Sequence, residues 1–305
     1  MSSHANVGQT NIGFWKKNQR ALAPWLFLAP GIFMFLLYVI YPIFQSIGIS
    51  FYQWDGLGPK TYVGLQNYRD LLDDDSFYTS LKNNLIWLLL YLLAIPAGLA
   101  VALFLNQTVK GIRLYKSLFF FPFVISQVVV GLIFTWFYAP GFGILPHFFN
   151  FLTGTPIAIL ADDKYATYGV IAAGLWPQTA YCMILYLTGL NNISPDQVEA
   201  ARMDNVKGWK MLWYIIIPQL RPATFIALVV TVIGALRSFD LISIMTVGGP
   251  FGSTRVLSYF MYEQALSEYG TAMGYGAAIA VVLFAIMLVF ISLFIVRMLS
   301  QERNA

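Results

Sequence analysis

The sequence predicts an all-α fold, a polytopic bundle of six transmembrane helices. The chain is 58% hydrophobic and 10% charged, whereas soluble domains carry about 25% charged residues. Its charges cluster between apolar runs of roughly 20 residues or more, the length that crosses a bilayer. These runs are continuously apolar rather than alternating, which argues against a transmembrane barrel.

The first span is expected at 25–49, behind a short tail, 1–24, that carries Lys16, Lys17 and Arg20. The run is too long for a signal-peptide core and lacks a small-residue cleavage site, so it reads as an uncleaved span. The second is placed at 84–105, where Ala94, Gly98 and Ala102 recur every four residues. Gly270 and Gly274, near Gly276 and Ala277, form a second small-residue face. Such faces let helices approach closely in lipid, within one chain or against a second membrane subunit. The remaining spans are expected at 115–138, 167–190, 223–246 and 272–296, with a C-terminal tail at 299–305. Cys182, the only cysteine, precludes an intrachain disulfide and reads as a small apolar residue inside a helix.

Orientation follows from the basic residues. With both termini cytoplasmic, twelve Lys and Arg fall on the inner side: Lys16, Lys17, Arg20, Lys110, Arg113, Lys116, Arg202, Lys207, Lys210, Arg221, Arg297 and Arg303. Five fall outside: Lys60, Arg69, Lys82, Lys164 and Arg255. That bias favours cytoplasmic termini. The net charge of +4 shows no basic face suited to nucleic acid.

The inner segment 191–222 is unusually structured. Ser194-Pro195-Asp196-Gln197 reads as a capping box with Pro at the first helical position. A short helix follows, and Asp204-Asn205 breaks it, since Asn tolerates the left-handed conformation that ends a helix. A second helix is expected from Gly208, with Trp209, Leu212, Trp213 and Ile216 at helical spacing; Pro218 and Pro222 then turn the chain into the fifth span. A capped helix-turn-helix between two spans offers a rigid knob to a cytosolic partner, and the Ala200-Ala201 pair keeps one face slim enough to enter a groove. The other reading is an interfacial helix on lipid.

Glu199-Ala200-Ala201, the break near Asn205 and Ile217-Pro218 resemble the EAA loop of ATP-binding-cassette (ABC) importer permeases. Ser50-Phe51 with Trp54, Val63-Gly64-Leu65 with Asn67-Tyr68, Leu81 with Asn83, Leu103 with Leu105-Asn106, and Phe120-Phe121-Pro122 resemble the carbohydrate-uptake branch. So do Trp176 with Pro177, Phe239-Asp240, Thr246 with Gly248-Gly249-Pro250, and Tyr275-Gly276-Ala277-Ala278. The resemblance spans about 25–296 in matching order and is similar to the larger maltose-type permeases, without their extended extra region. It implies a type I importer permease domain over 25–298 in a bacterial inner membrane. The implied partners are a second homologous permease, two copies of a cytosolic ATP-binding subunit and an extracytoplasmic solute-binding protein. In that assembly Glu199 and Arg202 are the expected polar contacts to the ATPase, Ala200, Ala201 and Met203 pack against it, and Asp204 and Asn205 form the turn. The family usually has Gly at the position of Asn205, and Asn is the least costly replacement there.

The chain has no GxxxxGK[ST] phosphate loop, so no cofactor is expected and ATP would be hydrolysed by the partner. Neither His4 nor His147 has a second metal-ligand candidate at useful spacing, so no metal or catalytic site is assigned and the chain is not read as an enzyme. His147 reads as a loop residue. Polar groups inside spans default to functional hypotheses. By registration with the family, sugar contacts fall near Gln127, Gln178, Tyr181, Thr231 and Ser238. Arg237 and Asp240 join this substrate path; three apart, they either pair on one helix face or leave Arg237 to meet an anionic sugar or phosphate ester. Sugars, sugar derivatives, polyols and glycerol phosphates all remain open as substrates. A secondary transporter is the reading from another class, with Asp240 as its one intramembrane acid.

Overall fold

A computed structural model describes residues 14–107, 110–155, 157–267 and 271–303. His4 and Gly270, both weighed above, lie outside the described residues. Helix α1 (Phe14–Phe35) continues through a π-helical turn at Leu36–Ile40 into α2 (Tyr41–Ile49). A small antiparallel hairpin pairs β1 (Tyr52–Gln53) with β2 (Thr61–Tyr62), Tyr52 opposite Tyr62. Next come α3 (Gln66–Leu72), α4 (Asp75–Tyr91) and α5 (Ala94–Leu105); Asp74 caps α4 by accepting from the Ser76 N–H at 2.7 Å. The middle of the chain forms α6 (Ile112–Val124), α7 (Gln127–Tyr138), α8 (Ile144–Thr153) and the long α9 (Ala166–Asn191). Helices α10 (Pro195–Met203), α11 (Trp209–Met211) and α12 (Ile217–Gln219) are short, with a π-helical turn at Leu212–Ile216. The chain ends with α13 (Arg221–Leu236), α14 (Asp240–Met245), α15 (Leu257–Ala265) and α16 (Met273–Arg303).

Four stretches are long and apolar enough to cross a membrane singly: Ala23–Ile49, Asp75–Leu105, Ala166–Asn191 and Met273–Met298. Two bent pairs pass the same test only together, α6 with α7 at 97° and Trp209–Gln219 with α13 at 70°. Counting each bent pair as one span gives six among the described residues; the third and fifth expected runs, 115–138 and 223–246, are not the straight helices expected. The run 115–138 breaks where Ile125 and Ser126 become extended; Ser126 Oγ then caps α7, accepting from the Val129 N–H at 3.4 Å. The run 223–246 breaks at Arg237–Phe239. There Ser238 Oγ donates back to the Gly234 carbonyl at 3.1 Å, and Phe239 leaves helical geometry to pack on Tyr259 and Tyr262.

Contacts define two ends of the bundle. At one, Asn83 donates to the Ser253 and Arg255 carbonyls at 2.6 and 2.7 Å, and Thr167 donates to Ser253 at 3.0 Å. Asn67 there donates to the Ser50 and Tyr52 carbonyls, tying the hairpin to α3. At the other end Leu105, Leu190 and Leu220 pack together. In between, Asn84 joins three helices. Its Oδ1 accepts from the Leu257 N–H at 2.9 Å and its Nδ2 donates to the Leu236 carbonyl at 3.4 Å. Both partners are helix-end groups with no intrahelical bond, so one buried side chain satisfies two termini.

Lipid gives little hydrophobic drive between helices, so close packing must hold the bundle. The Ala94, Gly98 and Ala102 face does this within the chain: all three are buried, and α5 lies along α9. Cys182 is buried there, in the expected role of a small helix residue. Gly274 and Gly276 serve the chain's own packing too, against the Tyr52 carbonyl and Ala265. His147 lies in α8, not in a loop, with Nδ1 at 3.1 Å from the Gly143 carbonyl.

Candidate functional site: a cavity at two helix breaks and a capped helix at one end

The expected knob forms, with two differences. Pro195 opens α10, Asp196 lies in its first turn and Arg202 in its last, each complementing the helix dipole. Ser194, however, makes no side-chain capping bond, so the expected capping box is absent. Extended backbone at Ser194 and the ring of Pro195, which removes one N–H that would need a partner, suffice to start the helix. The C-terminal stop is as expected. Asn205 sits at φ 61°. The Val206 N–H reaches back to the Ala201 carbonyl at 2.9 Å and the Asn205 N–H to Arg202 at 3.0 Å, the paired bonds of a Schellman motif. Gly208, at φ 58° and ψ −128°, then turns the chain in a conformation closed to side-chain-bearing residues.

The second difference concerns Ala200 and Ala201. Neighbours on a helix point about 100° apart, and here they part company: Ala200 is exposed, whereas Ala201 is buried where α10 meets the π-helical turn. Ala201 therefore anchors the knob to its own chain and is not free to pack on a partner. The outward face carries Glu199, Ala200, Arg202 and Met203, the last 88% exposed, and Asp204 and Asn205 are exposed beside them.

Within the bundle lies a cavity of 340 Å³. Trp87 and Tyr91 reach it from α4, Gln127 from the start of α7, Gln178 from α9 and Gly234 from α13. Arg237, Ser238, Phe239 and Asp240 join it from the second break, and Val230, Ile233 and Leu241 add apolar wall. Both unexpected breaks thus meet at one space that polar and apolar side chains line together. Irregular backbone at membrane depth is tolerated only where protein buries it or a water-filled cavity receives it.

Five of the seven residues expected on a substrate path line this cavity: Gln127, Gln178, Arg237, Ser238 and Asp240. Two do not. Thr231 is fully buried behind the wall, where its hydroxyl accepts from Gln178 Nε2 at 2.9 Å and lies 3.7 Å from Cys182 Sγ. Tyr181 stacks on Phe123, ring centroids 5.1 Å apart, away from the lining. The expected pairing of Arg237 with Asp240 is not made. Arg237 ends α13 and Asp240 opens α14, so the spacing of three falls across a break instead of along one helix; both side chains are exposed to the open space. The ion pair that does form among the described residues is Arg255–Glu263, at 2.6 Å.

Trp87 and Tyr91 escaped sequence reasoning. Their rings pack 5.0 Å apart in the bundle core. Trp87 is 1% exposed, and its indole N–H has no hydrogen-bond partner. The available signal was a polar-tipped aromatic inside an apolar run, which needs a partner when buried.

Comparison with known proteins agrees with this architecture. The family model of the binding-protein-dependent transport system inner membrane component matches residues 94–304. A probable ABC transporter permease protein of Pyrococcus horikoshii is 36% identical over 270 residues, covering 87% of this chain and 92% of that protein. An alpha-glucoside transport system permease protein of Rhizobium meliloti is 31% identical over 293 residues, covering 92% and 84%. Among solved structures, a chain of a bacterial alginate ABC transporter, crystallised with an alginate pentasaccharide-bound periplasmic protein, has the same fold. Its TM-score is 0.80 at 21% identity, over 92% of this chain and 95% of that one. The chain belongs to the binding-protein-dependent transport system inner membrane components, the membrane-spanning permeases of ABC transporters.

Proposed function

We propose that this permease conducts a sugar or related carbohydrate through the 340 Å³ cavity and couples that passage to a separate ATPase through α10. The observation that carries the reading is the meeting of the Ile125–Ser126 and Arg237–Phe239 breaks at one cavity whose wall includes polar and charged side chains, inside an apolar bundle. A bundle held only by packing has no use for two interrupted spans; a path that opens and closes does. The alpha-glucoside relative supports a carbohydrate as the cargo. Residues 191–222 act as the coupling segment of a permease domain over 25–298, with both tails, 1–24 and 299–305, in the cytoplasm of a bacterial cell. The working assembly contains a second homologous permease, two cytosolic ATP-binding subunits and an extracytoplasmic solute-binding protein. ATP is bound and hydrolysed by the partner alone, and this chain needs no cofactor of its own.

The stiff stop at Asn205 and the buried Ala201 support α10 as a lever with a fixed root. Glu199, Ala200, Arg202 and Met203 then form the face presented to the ATPase. Cross-linking from Met203→Cys in a Cys182→Ala background tests this. In membranes containing the assembled transporter, the expected product is this chain joined to the ATP-binding subunit. An intact complex that yields no such product, or a residue 203 that reacts only with reagents confined to the outer side, overturns the proposal.

A further inference from the structure

We infer that the cavity is built for a neutral, hydroxyl-rich ligand and gives an anion no advantage, Asp240 being the residue that offsets Arg237. The inference rests on the proposed reading of the cavity as the transport path and names the chemical class of its cargo.

The warrant is an inventory of what the lining groups offer. Arg237 can only donate hydrogen bonds, as can the Trp87 indole N–H buried behind the lining, and the Asp240 carboxylate can only accept. Gln178 spends one of its two amide N–H groups on Thr231 at 2.9 Å and turns its Oε1 toward Gly234 on the lining. Ser238 has spent its hydroxyl proton on the Gly234 carbonyl at 3.1 Å, so it presents lone pairs. Gln127 makes no side-chain bond within the described residues and offers both functions. The wall therefore asks for donors and acceptors together.

A sugar hydroxyl supplies one donor and two acceptor sites from a single oxygen, and a ring carries several. A phosphate dianion supplies acceptors alone. It would match Arg237, yet leave Asp240, Ser238 and the Gln178 Oε1 facing lone pairs. A cation fails in the opposite sense. Arg237 and Asp240 stand unpaired on the same cavity, so the lining carries no net charge. Like charges meeting at short range in a low-dielectric site repel strongly, which is how a repulsive group confers selectivity.

The test reads the field of the cavity directly, in the fully assembled transporter with Cys182→Ala. Gly234→Cys serves as reporter: it lines the cavity, and the nearest atom to a β-carbon there, Gln178 Oε1, is 3.9 Å away. Leu57→Cys, at a position 98% exposed, is the reference. Each is labelled with methanethiosulfonate reagents of matched size, one anionic and one cationic. The ratio of the two rates at 234 is expected to match that at 57 within about threefold; Arg237→Gln lowers the anion preference and Asp240→Asn raises it, each about tenfold. Protection of the 234 thiol by sn-glycerol 3-phosphate is expected to be no greater than by glycerol. An anion preference of about tenfold or more in the parent, no response to either charge substitution, or better protection by the phosphate overturns the inference. The Met203→Cys cross-link is read on the same preparation. If it persists while the charge ratio fails, only the ligand class falls; if it is lost, the transport reading falls independently.

Discussion

Gly98 and Cys182 mark a close approach between α5 and α9: a β-carbon on the glycine would stand 2.5 Å from Cys182 Cβ and 2.8 Å from the Met183 backbone nitrogen. Neither clash can be relieved by a rotamer change, because the backbone fixes both the Cys182 Cβ and the Met183 nitrogen. Gly98→Ala must therefore push the two helices apart. Overpacking of this kind typically costs about 1–3 kcal/mol, and here it acts on the helix that carries Gln178 to the cavity. The expected result is a lower thermal transition for the detergent-solubilised chain and poorer complex yield. Cys182→Ala, which removes only the sulfur, is expected to be tolerated. An unchanged transition for Gly98→Ala would mean that the helices are farther apart than described.

Asn205 makes a separate prediction at the coupling end. Its left-handed backbone closes the Schellman bonds to Ala201 and Arg202. A β-branched residue at such a position costs roughly 1–2 kcal/mol, whereas Gly adopts it freely. Asn205→Gly is expected to keep ATPase-coupled uptake near the parent level, and Asn205→Val to lower it with membrane insertion unaffected. Equal uptake by the two variants would show that the turn plays no part in transmitting force.

These cases bear on how much was legible in the chain itself. The six apolar runs were visible because bilayer thickness imposes length directly on composition. The stop at Asn205 was visible because it is local chemistry. The breaks at Ile125–Ser126 and Arg237–Phe239 were not, since both lie inside runs whose hydropathy is unaffected by a change of backbone angle. Missing the second break made Arg237 and Asp240 look like partners on one helix. Trp87 was invisible for a different reason: its role depends on α4 facing the end of α13, a relation no periodicity within α4 encodes. Thr231 and Tyr181 were placed on the path by registration with relatives, which gives the helix but not the direction of the side chain.

Asn84 offers a third prediction. It satisfies the last carbonyl of α13 and the first N–H of α15 with one amide, in a buried setting. Asn84→Leu keeps the volume and strands both groups, at about 1–3 kcal/mol for each. Because Leu236 immediately precedes Arg237, the loss is expected to loosen the second break as well as the fold. Thiol labelling at Gly234→Cys should accelerate in the Asn84→Leu background. A destabilised protein with unaltered labelling would confine Asn84 to a structural role.

Trp87→Phe separates a group kept for function from one kept for packing. The indole N–H is buried without a partner, and leaving such a donor unpaired costs about 1–3 kcal/mol. Phenylalanine removes the orphan and keeps one ring against Tyr91, while giving up the volume of the second ring. These changes oppose each other, so the thermal transition is expected to move little. Uptake should respond more. A neutral hydrogen bond to a passing hydroxyl is worth about 0.5–1.5 kcal/mol, so KM for the sugar delivered by the cognate binding protein is expected to rise as much as about tenfold. The cross-link at Met203→Cys should be unchanged, because α10 lies away from the cavity lining. A lowered transition with unaltered KM would make Trp87 a core residue like its neighbours, and the donor inventory of the cavity would lose one of its two donor-only groups.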